Sequence, residues 1–406
     1  MEKRLLILKR KKTKEMHDKG WSNRKIALLL LANKDSIGKW IKLSDDEILI
    51  DKRGWQKGRP RKYTSETKDK IKKLRSELEK ENSYFIGTIV VKNNYEKQTG
   101  KKISKDFVDR TLRDAGMVKS PQKKRKGVSK YMKYPKRTLN KLGKCMMSID
   151  FIGPRYLKGS SKGVNFLSCK YIRPKKNGIV KRISGQTADQ TIKILKDIWK
   201  DNPIPDVVKL DNDSAFGPNL SHDRCIGKLA LFFLNLGITP LYIAPRSPWN
   251  NGEGEGFNSV FSKKFWNRLQ FTDEGEVDIK IKDFNVAYEK YSELISNNPE
   301  IKKDKIKHID EFKDIDLENR NIKKFKSHII YFLRIVRRKN KKGSKEEYGF
   351  INILNEEIKM PVDLINLFVF CTLDIKSKKL IISSELDNGL LNKIKSIKFQ
   401  IENIIY

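Results

Sequence analysis

Met146-Met147-Ser148-Ile149-Asp150-Phe151-Ile152 is an apolar run of strand length with one charge inside it. A carboxylate among such neighbours is costly without a partner, so Asp150 stands out as a working group. Two more strand-like stretches follow, Val164 to Ile172 and Gly178 to Ile183. Thr187 to Lys200 has helical apolar spacing, and Asp206-Val207-Val208-Lys209-Leu210-Asp211 reads as a buried strand. A helix over Cys225–Leu236, a strand over Ile238–Ile243 and a helix from Gly252 to about Leu269 complete the series. Alternation of this kind predicts an α/β unit built on a mixed sheet.

The order β-β-β-α-β-α-β-α is that of an RNase H-like fold. Two further acids fall at the ends of its elements. Asp211 closes the strand 207–210, and Glu255 lies in Pro245-Arg246-Ser247-Pro248-Trp249-Asn250-Asn251-Gly252-Glu253-Gly254-Glu255-Gly256-Phe257-Asn258, where the last helix begins. Any one of these carboxylates alone reads equally as a cap or a surface charge. Three of them, each on or beside a different element, suit phosphodiester chemistry. Cleavage and transfer need an activated oxygen nucleophile and a stabilised leaving oxygen, which two divalent ions roughly 3.5–4 Å apart supply. Mg²⁺ takes hard carboxylate oxygens and keeps places for water and phosphate.

Charge points to the same substrate class. The 406 residues hold 88 Lys and Arg against 50 Asp and Glu, a net of +38. The excess is uneven, with 43 basic and 17 acidic residues in 1–144. Such a surface favours a polyanion. No apolar run approaches the roughly 18 residues of a membrane span, and the start lacks the pattern of a secretory signal. Cys145, Cys169, Cys225 and Cys371 form no C-x-x-C pair, and the four histidines are scattered. Neither a disulfide framework nor a zinc module is expected.

The basic N-terminal part divides into units. Residues 1–50 hold a candidate helix-turn-helix over 16–43, with Ser22 as N-cap and Ile37, Trp40 and Ile41 on one face. Ser36 and Lys39 would then face a major groove; a plain helical hairpin fits the same pattern. Residues 51–64 contain Gly58-Arg59-Pro60-Arg61-Lys62. Pro60 biases Arg59 away from helix, and Arg59, Arg61 and Lys62 suit a narrow minor groove or a solvated linker equally. Residues 65–118 read as a second helix-turn-helix, with Ser65 as a cap and a helix over Tyr84–Tyr95. Its candidate recognition helix, 104–114, presents Lys105, Arg110 and Arg113. A basic linker, 119–144, leads to the catalytic unit at 145–270.

Beyond it, 271–325 is Lys-rich and reads as a loosely packed helical connector. Short strand signals at 328–336, 349–354, 367–373 and 379–383 suggest a small β-barrel over 326–390, and 391–406 is left as a tail. The predicted fold class is thus multidomain: all-α helix-turn-helix units, an α/β RNase H-like core and a C-terminal small barrel.

Ile149-Asp150-Phe151-Ile152-Gly153-Pro154, Leu210-Asp211-Asn212 and Pro245-x-x-Pro248-x-x-Asn251-Gly252-x-x-Glu255 with Phe257-Asn258 resemble the motifs of retroviral-type integrases and the DDE transposases of bacterial insertion sequences. The likeness covers roughly 145–268 well and the flanking units more weakly. It selects Glu255 over Glu253, because the family's glutamate comes three residues after Asn-Gly. It implies that Asp150, Asp211 and Glu255 hold two Mg²⁺ ions, replaceable by Mn²⁺. Water would hydrolyse a phosphodiester at an element's end, and the freed 3′-hydroxyl would attack target DNA directly. The implied partners are double-stranded DNA, at element ends and target, and further copies of the chain as a dimer or tetramer. The implied setting is a prokaryotic cytoplasm, on the nucleoid.

Two departures stand out. Asp213 replaces the glycine usual after Asp-Asn, and the 43 residues between Asp211 and Glu255 exceed the usual spacing. Gly254 and Gly256 are expected to loosen the helix that carries Glu255. Lys263 and Lys264, two turns on, are candidate DNA contacts or an exposed helix face. Rival functions are a catalytically silent DNA-binding regulator derived from a transposase, and an RNase H-type nuclease that only hydrolyses.

Overall fold

The structure is a computed structural model, and it describes residues 3–50, 63–118, 134–174, 176–212, 216–217, 222–245, 247–295, 309, 316, 318–340 and 347–404. Arg59, Arg61, Lys62, Asp213 and most of the basic linker lie outside the described residues. The chain divides into two compact units, Met1–Lys68 and Asp69–Tyr406.

The first unit is helical: α1 (Lys3–Asp18), α2 (Asn23–Leu29), α3 (Lys34–Ile41) and α4 (Asp45–Leu49). Ser22 caps α2 by accepting from Lys25 N, as its sequence position predicts. Asn33 caps α3, and of the two residues expected to face a groove Ser36 is half-buried while Lys39 is exposed. Ile26, Ala27 and Ile37 form the small core, and Trp21, Leu30, Trp40 and Ile41 pack on it. The sequence reading missed α1. Its Arg10 is buried and donates to the carbonyls of Ile48 (3.2 Å) and Ile50 (2.7 Å), satisfying the open end of α4.

Next come α5 (Ser65–Lys80), α6 (Thr88–Thr99), α7 (Lys105–Asp114) and the short α8 (Lys136–Lys141). Lys105, Arg110 and Arg113 are exposed on α7, where Arg113 pairs with Asp109.

The larger unit is organised by a sheet. Its strands are β1 (Met146–Tyr156), β2 (Gly163–Arg173) and β3 (Asn177–Ile183), followed by α9 (Ala188–Asp201), β4 (Val207–Leu210), β5 (Cys225–Ile226), α10 (Lys228–Leu236) and β6 (Thr239–Tyr242). Helix α11 (Gly252–Phe261) runs into a π-helical turn, Ser262–Trp266, and is followed by α12 (Glu274–Ile295). The C-terminal strands are β7 (Ile329–Ile335), β8 (Arg337–Asn340), β9 (Glu347–Ile353), β10 (Glu356–Met360), β11 (Phe368–Asp374), β12 (Lys379–Glu385), β13 (Leu391–Lys398) and β14 (Asn403–Ile404).

The main sheet is mixed and has nine strands, in the order β13-β12-β11-β7-β6-β4-β1-β2-β3. Alternate residues serve opposite faces. Met147, Ile149, Leu167, Cys169 and Val208 pack beneath α9 and α10, where α9 contributes Leu195, Ile198 and Trp199. Ile152, Val164, Phe166 and Val180 pack with Phe257 and Phe261 of α11 and with Phe284 and Tyr288 of α12. The RNase H-like order predicted for 145–270 matches this arrangement of three antiparallel strands, then parallel β4 and β6, with helices on both faces.

Two expectations change. No self-contained barrel is seen at 326–390 among the described residues: β7 pairs parallel with β6, and β11, β12 and β13 continue the same sheet. Residues of β8–β10 form a separate three-stranded sheet. Its Ile351, Ile353, Ile358 and Met360 belong to the same apolar cluster as the core. Helix α12, predicted to pack loosely, is firmly seated. Val277, Ile281, Phe284 and Tyr288 recur at helical spacing and are all buried. Asn285 of α12 also accepts from Val180 N and donates to Val180 O, closing the edge of β3.

The helices of 69–118 share this body. Phe85 stacks on Tyr291 at 4.4 Å, Tyr84 meets Phe284 edge-on, and Arg268 donates to Ser83 O at 2.7 Å.

Candidate active site

Strands β1 and β4 run parallel with Met147 beside Val208 and Ser148 beside Lys209. Asp150 lies two residues past Ser148 on β1, and Asp211 directly follows the end of β4, near enough for its charge to act on the Asp150 carboxyl.

Helix α11 is fixed to β1 at two levels. Asn251, just before it, accepts from Ser148 Oγ at 2.6 Å. Asn258 Nδ2 donates to Asp150 Oδ2 at 2.8 Å. Residues 251, 255 and 258 share one helical face, so Glu255 lies between two anchors that both reach β1. Glu253 points elsewhere, pairing with Lys176 at 3.5 Å.

Two glycines let the helix come so close. A Cβ on Gly254 would lie 3.0 Å from the Asn251 side chain and 3.1 Å from Ser148 Oγ. A Cβ on Gly178 would lie 2.5 Å from the Phe257 ring. Gly254, expected to loosen the helix start, instead permits its contact with β1. Gly178→Ala is therefore expected to destabilise the protein by about 1–3 kcal/mol through overpacking and to shift α11 off its seat. Urea unfolding checks this, and unchanged stability would show that Phe257 can yield.

The electrostatics follow from the packing. Burial pushes the Asp150 carboxyl up to about 6, and the negative charges of Asp211 and then Glu255 add to the shift, against an opposing hydrogen bond from Asn258. Asp211 and Glu255 thus both act on Asp150. Glu255 is exposed, and Asp150 and Asp211 are half-buried. Among the described residues no three of His, Cys, Asp and Glu lie close enough together to hold a metal ion.

The donor chemistry nevertheless fits a hard divalent cation. All three groups are carboxylates, and their mutual repulsion is what such an ion would relieve. Asn258 Oδ1 and the Oγ of Ser168, which sits opposite Asp150 on β2, are buried without hydrogen-bond partners.

One rung behind the acids lies a row that the sequence reading passed over: Lys170, Ser148 and Lys209, paired across β2, β1 and β4. Both lysines are buried, and burial lowers each to about 8. Lys170 donates to Tyr288 Oη at 2.9 Å, and Lys209 donates to Asn250 O. The charge of Glu253 acts on this cationic row, whereas that of Glu255 acts on Asp150. The available signal was a lysine at an apolar strand position, as in Val207-Val208-Lys209-Leu210.

Lys263 and Lys264 fall in the π-helical turn and not on a continuing α-helix. Lys263 is exposed. Lys264 is half-buried and held below the usual lysine range by burial, then by Arg268 and Arg75.

Among the described residues no helix is long and apolar enough to cross a membrane. No family model matches the chain, and no curated protein matches it. Solved structures do match at low similarity. A simian T-cell lymphotropic virus intasome in complex with PP2A regulatory subunit B56 gamma is 11% identical with a TM-score of 0.27, over 55% of this chain and 81% of that one. The Mos1 mariner paired end complex with Mn is 12% identical with a TM-score of 0.25, over 70% and 91%. The same complex with Mg is 12% identical with a TM-score of 0.26, over 73% and 98%. At scores this low, the functional case rests on the residues of this chain.

Proposed function

We propose that the chain is a DNA-cutting and DNA-joining enzyme, a transposase or integrase of the DDE type, with Asp150, Asp211 and Glu255 as its catalytic carboxylates. The observation that supports this reading is that the charges of Asp211, just past the end of β4, and of Glu255, on α11 between the Asn251 and Asn258 contacts, both act on Asp150 of the adjacent strand β1.

Two Mg²⁺ ions, or Mn²⁺ in their place, would supply charge neutralisation at the phosphate and at the leaving oxygen. Asp150 and Asp211 would hold them from the sheet edge, and Glu255 would close the site from the helix. Asn258 fixes one oxygen of Asp150, and the Phe151 N–H also donates to this carboxyl. The packed sheet and α11 hold these groups in a fixed geometry, so that water in the first step and a 3′-hydroxyl in the second meet the phosphodiester in line. No covalent enzyme–DNA bond is needed.

Double-stranded DNA is the proposed substrate, at element ends and at target. The basic 1–144 region, with Ser36, Lys39, Arg59, Arg61, Lys62, Lys105, Arg110 and Arg113, would hold it, and Lys263 and Lys264 would add contacts near the site. Joining two ends calls for at least two protomers. The proposed setting is a prokaryotic cytoplasm.

Incubating the purified chain with DNA carrying the flanking ends of its own gene tests the reading. Strand-transfer products should form with Mg²⁺ or Mn²⁺, vanish with EDTA and need no Zn²⁺. Hydrolysis without joining would indicate a nuclease, and specific binding without cutting a silent regulator. Activity that survives EDTA would defeat the metal assignment.

A further inference from the structure

The second carboxylate, Asp211, stands one residue past the end of β4, so something beyond the strand must hold it. The neighbouring residue, Asn212, is held from two sides. Its Nδ2 donates to Ile243 O at 2.7 Å, and its Oδ1 accepts from Arg334 Nη2 at 3.2 Å. Arg334 belongs to β7, in the C-terminal part of the chain.

The guanidinium of Arg334 is a junction. Nε donates to Asn352 O at 2.8 Å, and Nη1 donates to Ile243 O at 3.0 Å and to Leu333 O at 2.9 Å. The group lies over the Phe332 ring at 5.1 Å, and Phe332 stacks on Tyr242 at 5.4 Å. One side chain thus ties together the ends of β4 and β6, strand β7 and the β9 strand.

The far side of the same loop is held too. Tyr242 Oη donates to Phe216 O at 3.0 Å, and Phe216 stacks at 4.4 Å on Phe151, the neighbour of Asp150. Arg334 is 6% exposed. The hydrogen bonds recorded for it all go to neutral oxygens, so retaining a desolvated cation there is expensive and calls for a reason. A planar fork of five donors suits a junction of several carbonyls, which an ammonium cannot span.

From this geometry we infer that Arg334 is a positioning residue: through Asn212 it sets the direction of Asp211, so the C-terminal strands form part of the metal-binding apparatus. The inference rests on the proposed role of Asp211 as a metal ligand. Residues that orient a ligand typically change metal affinity about 10–100-fold when lost.

The test uses the full chain and reads Mn²⁺ binding by electron paramagnetic resonance, alongside thermal stability without metal and affinity for DNA. Asn212→Ala, at an exposed position, is expected to weaken Mn²⁺ binding about 10–100-fold while leaving the metal-free protein folded and DNA affinity near wild type. Arg334→Lys should weaken Mn²⁺ binding similarly, and the double variant should be no worse than the poorer single one, because both act along one path. Wild-type Mn²⁺ affinity in Asn212→Ala would overturn the inference, even if Arg334→Lys does not fold. Additive losses in the double variant would overturn the coupling. If the unaltered protein shows no Mn²⁺ binding that depends on Asp150 and Asp211, the site reading itself fails, an outcome distinct from the others.

Discussion

Asp150→Asn is expected to abolish cleavage and joining, by at least about 100-fold, and at the same time to make the metal-free protein more stable at pH 7. The two effects have one cause. Burial and the neighbouring carboxylates raise the Asp150 carboxyl from 3.8 to about 6. A carboxyl raised in the folded state contributes stability that is full below the unfolded value and lost as pH rises through the folded one. From pH 7 to pH 4 wild type should therefore gain this contribution of Asp150, and the pH profile of the variant should lack it. The shift corresponds to about 3 kcal/mol as an upper figure, reduced because Asp150 is partly open to solvent. Mn²⁺ should raise the melting temperature of wild type and leave that of the variant unmoved. A variant less stable than wild type at pH 7 would show that Asp150 is held by favourable contacts and not by a site awaiting a cation.

The second large effect concerns salt. With a net charge of +38, DNA binding should rest on many Lys and Arg contacts to phosphate. Each contact contributes a slope near −0.9 in log K against log salt, so six to ten of them cost roughly 10³–10⁵ in affinity between 50 and 200 mM. Filter binding across a salt series measures this directly. A shallow slope would mean that the basic residues of 1–144 stay in solvent when DNA is bound.

The core was legible because its signals are local. A charge inside Met146–Ile152, an acid at the end of Val207–Leu210 and an alternation of strand and helix periods each fall within a short window. The junction of β6 with β7 left no such trace. Two residues, Leu241 and Tyr242, meet Tyr331 and Phe332 far along the chain, so strands that read as a separate barrel extend the central sheet instead. Lys170, Lys209 and Arg334 were passed over for a related reason: in a chain this basic, a cation at an apolar strand position is easily taken for one more solvated charge. The glycines at 178 and 254 were equally opaque, because the need for a missing Cβ arises only when α11 meets the sheet. Helix α1 was missed because its mostly polar sequence shows little sign of the contacts made by Leu6, Arg10 and Thr13.

Counting the Mn²⁺ bound to the metal-free full chain, by electron paramagnetic resonance near neutral pH, tests the carboxylate site most directly. About two ions per protomer are expected for wild type. Asp150→Asn and Asp211→Asn should lose them, Glu255→Gln should lose at least one, and Glu253→Gln should keep both. Unchanged binding in Asp150→Asn, or a greater loss in Glu253→Gln than in Glu255→Gln, would contradict the assignment of these three acids.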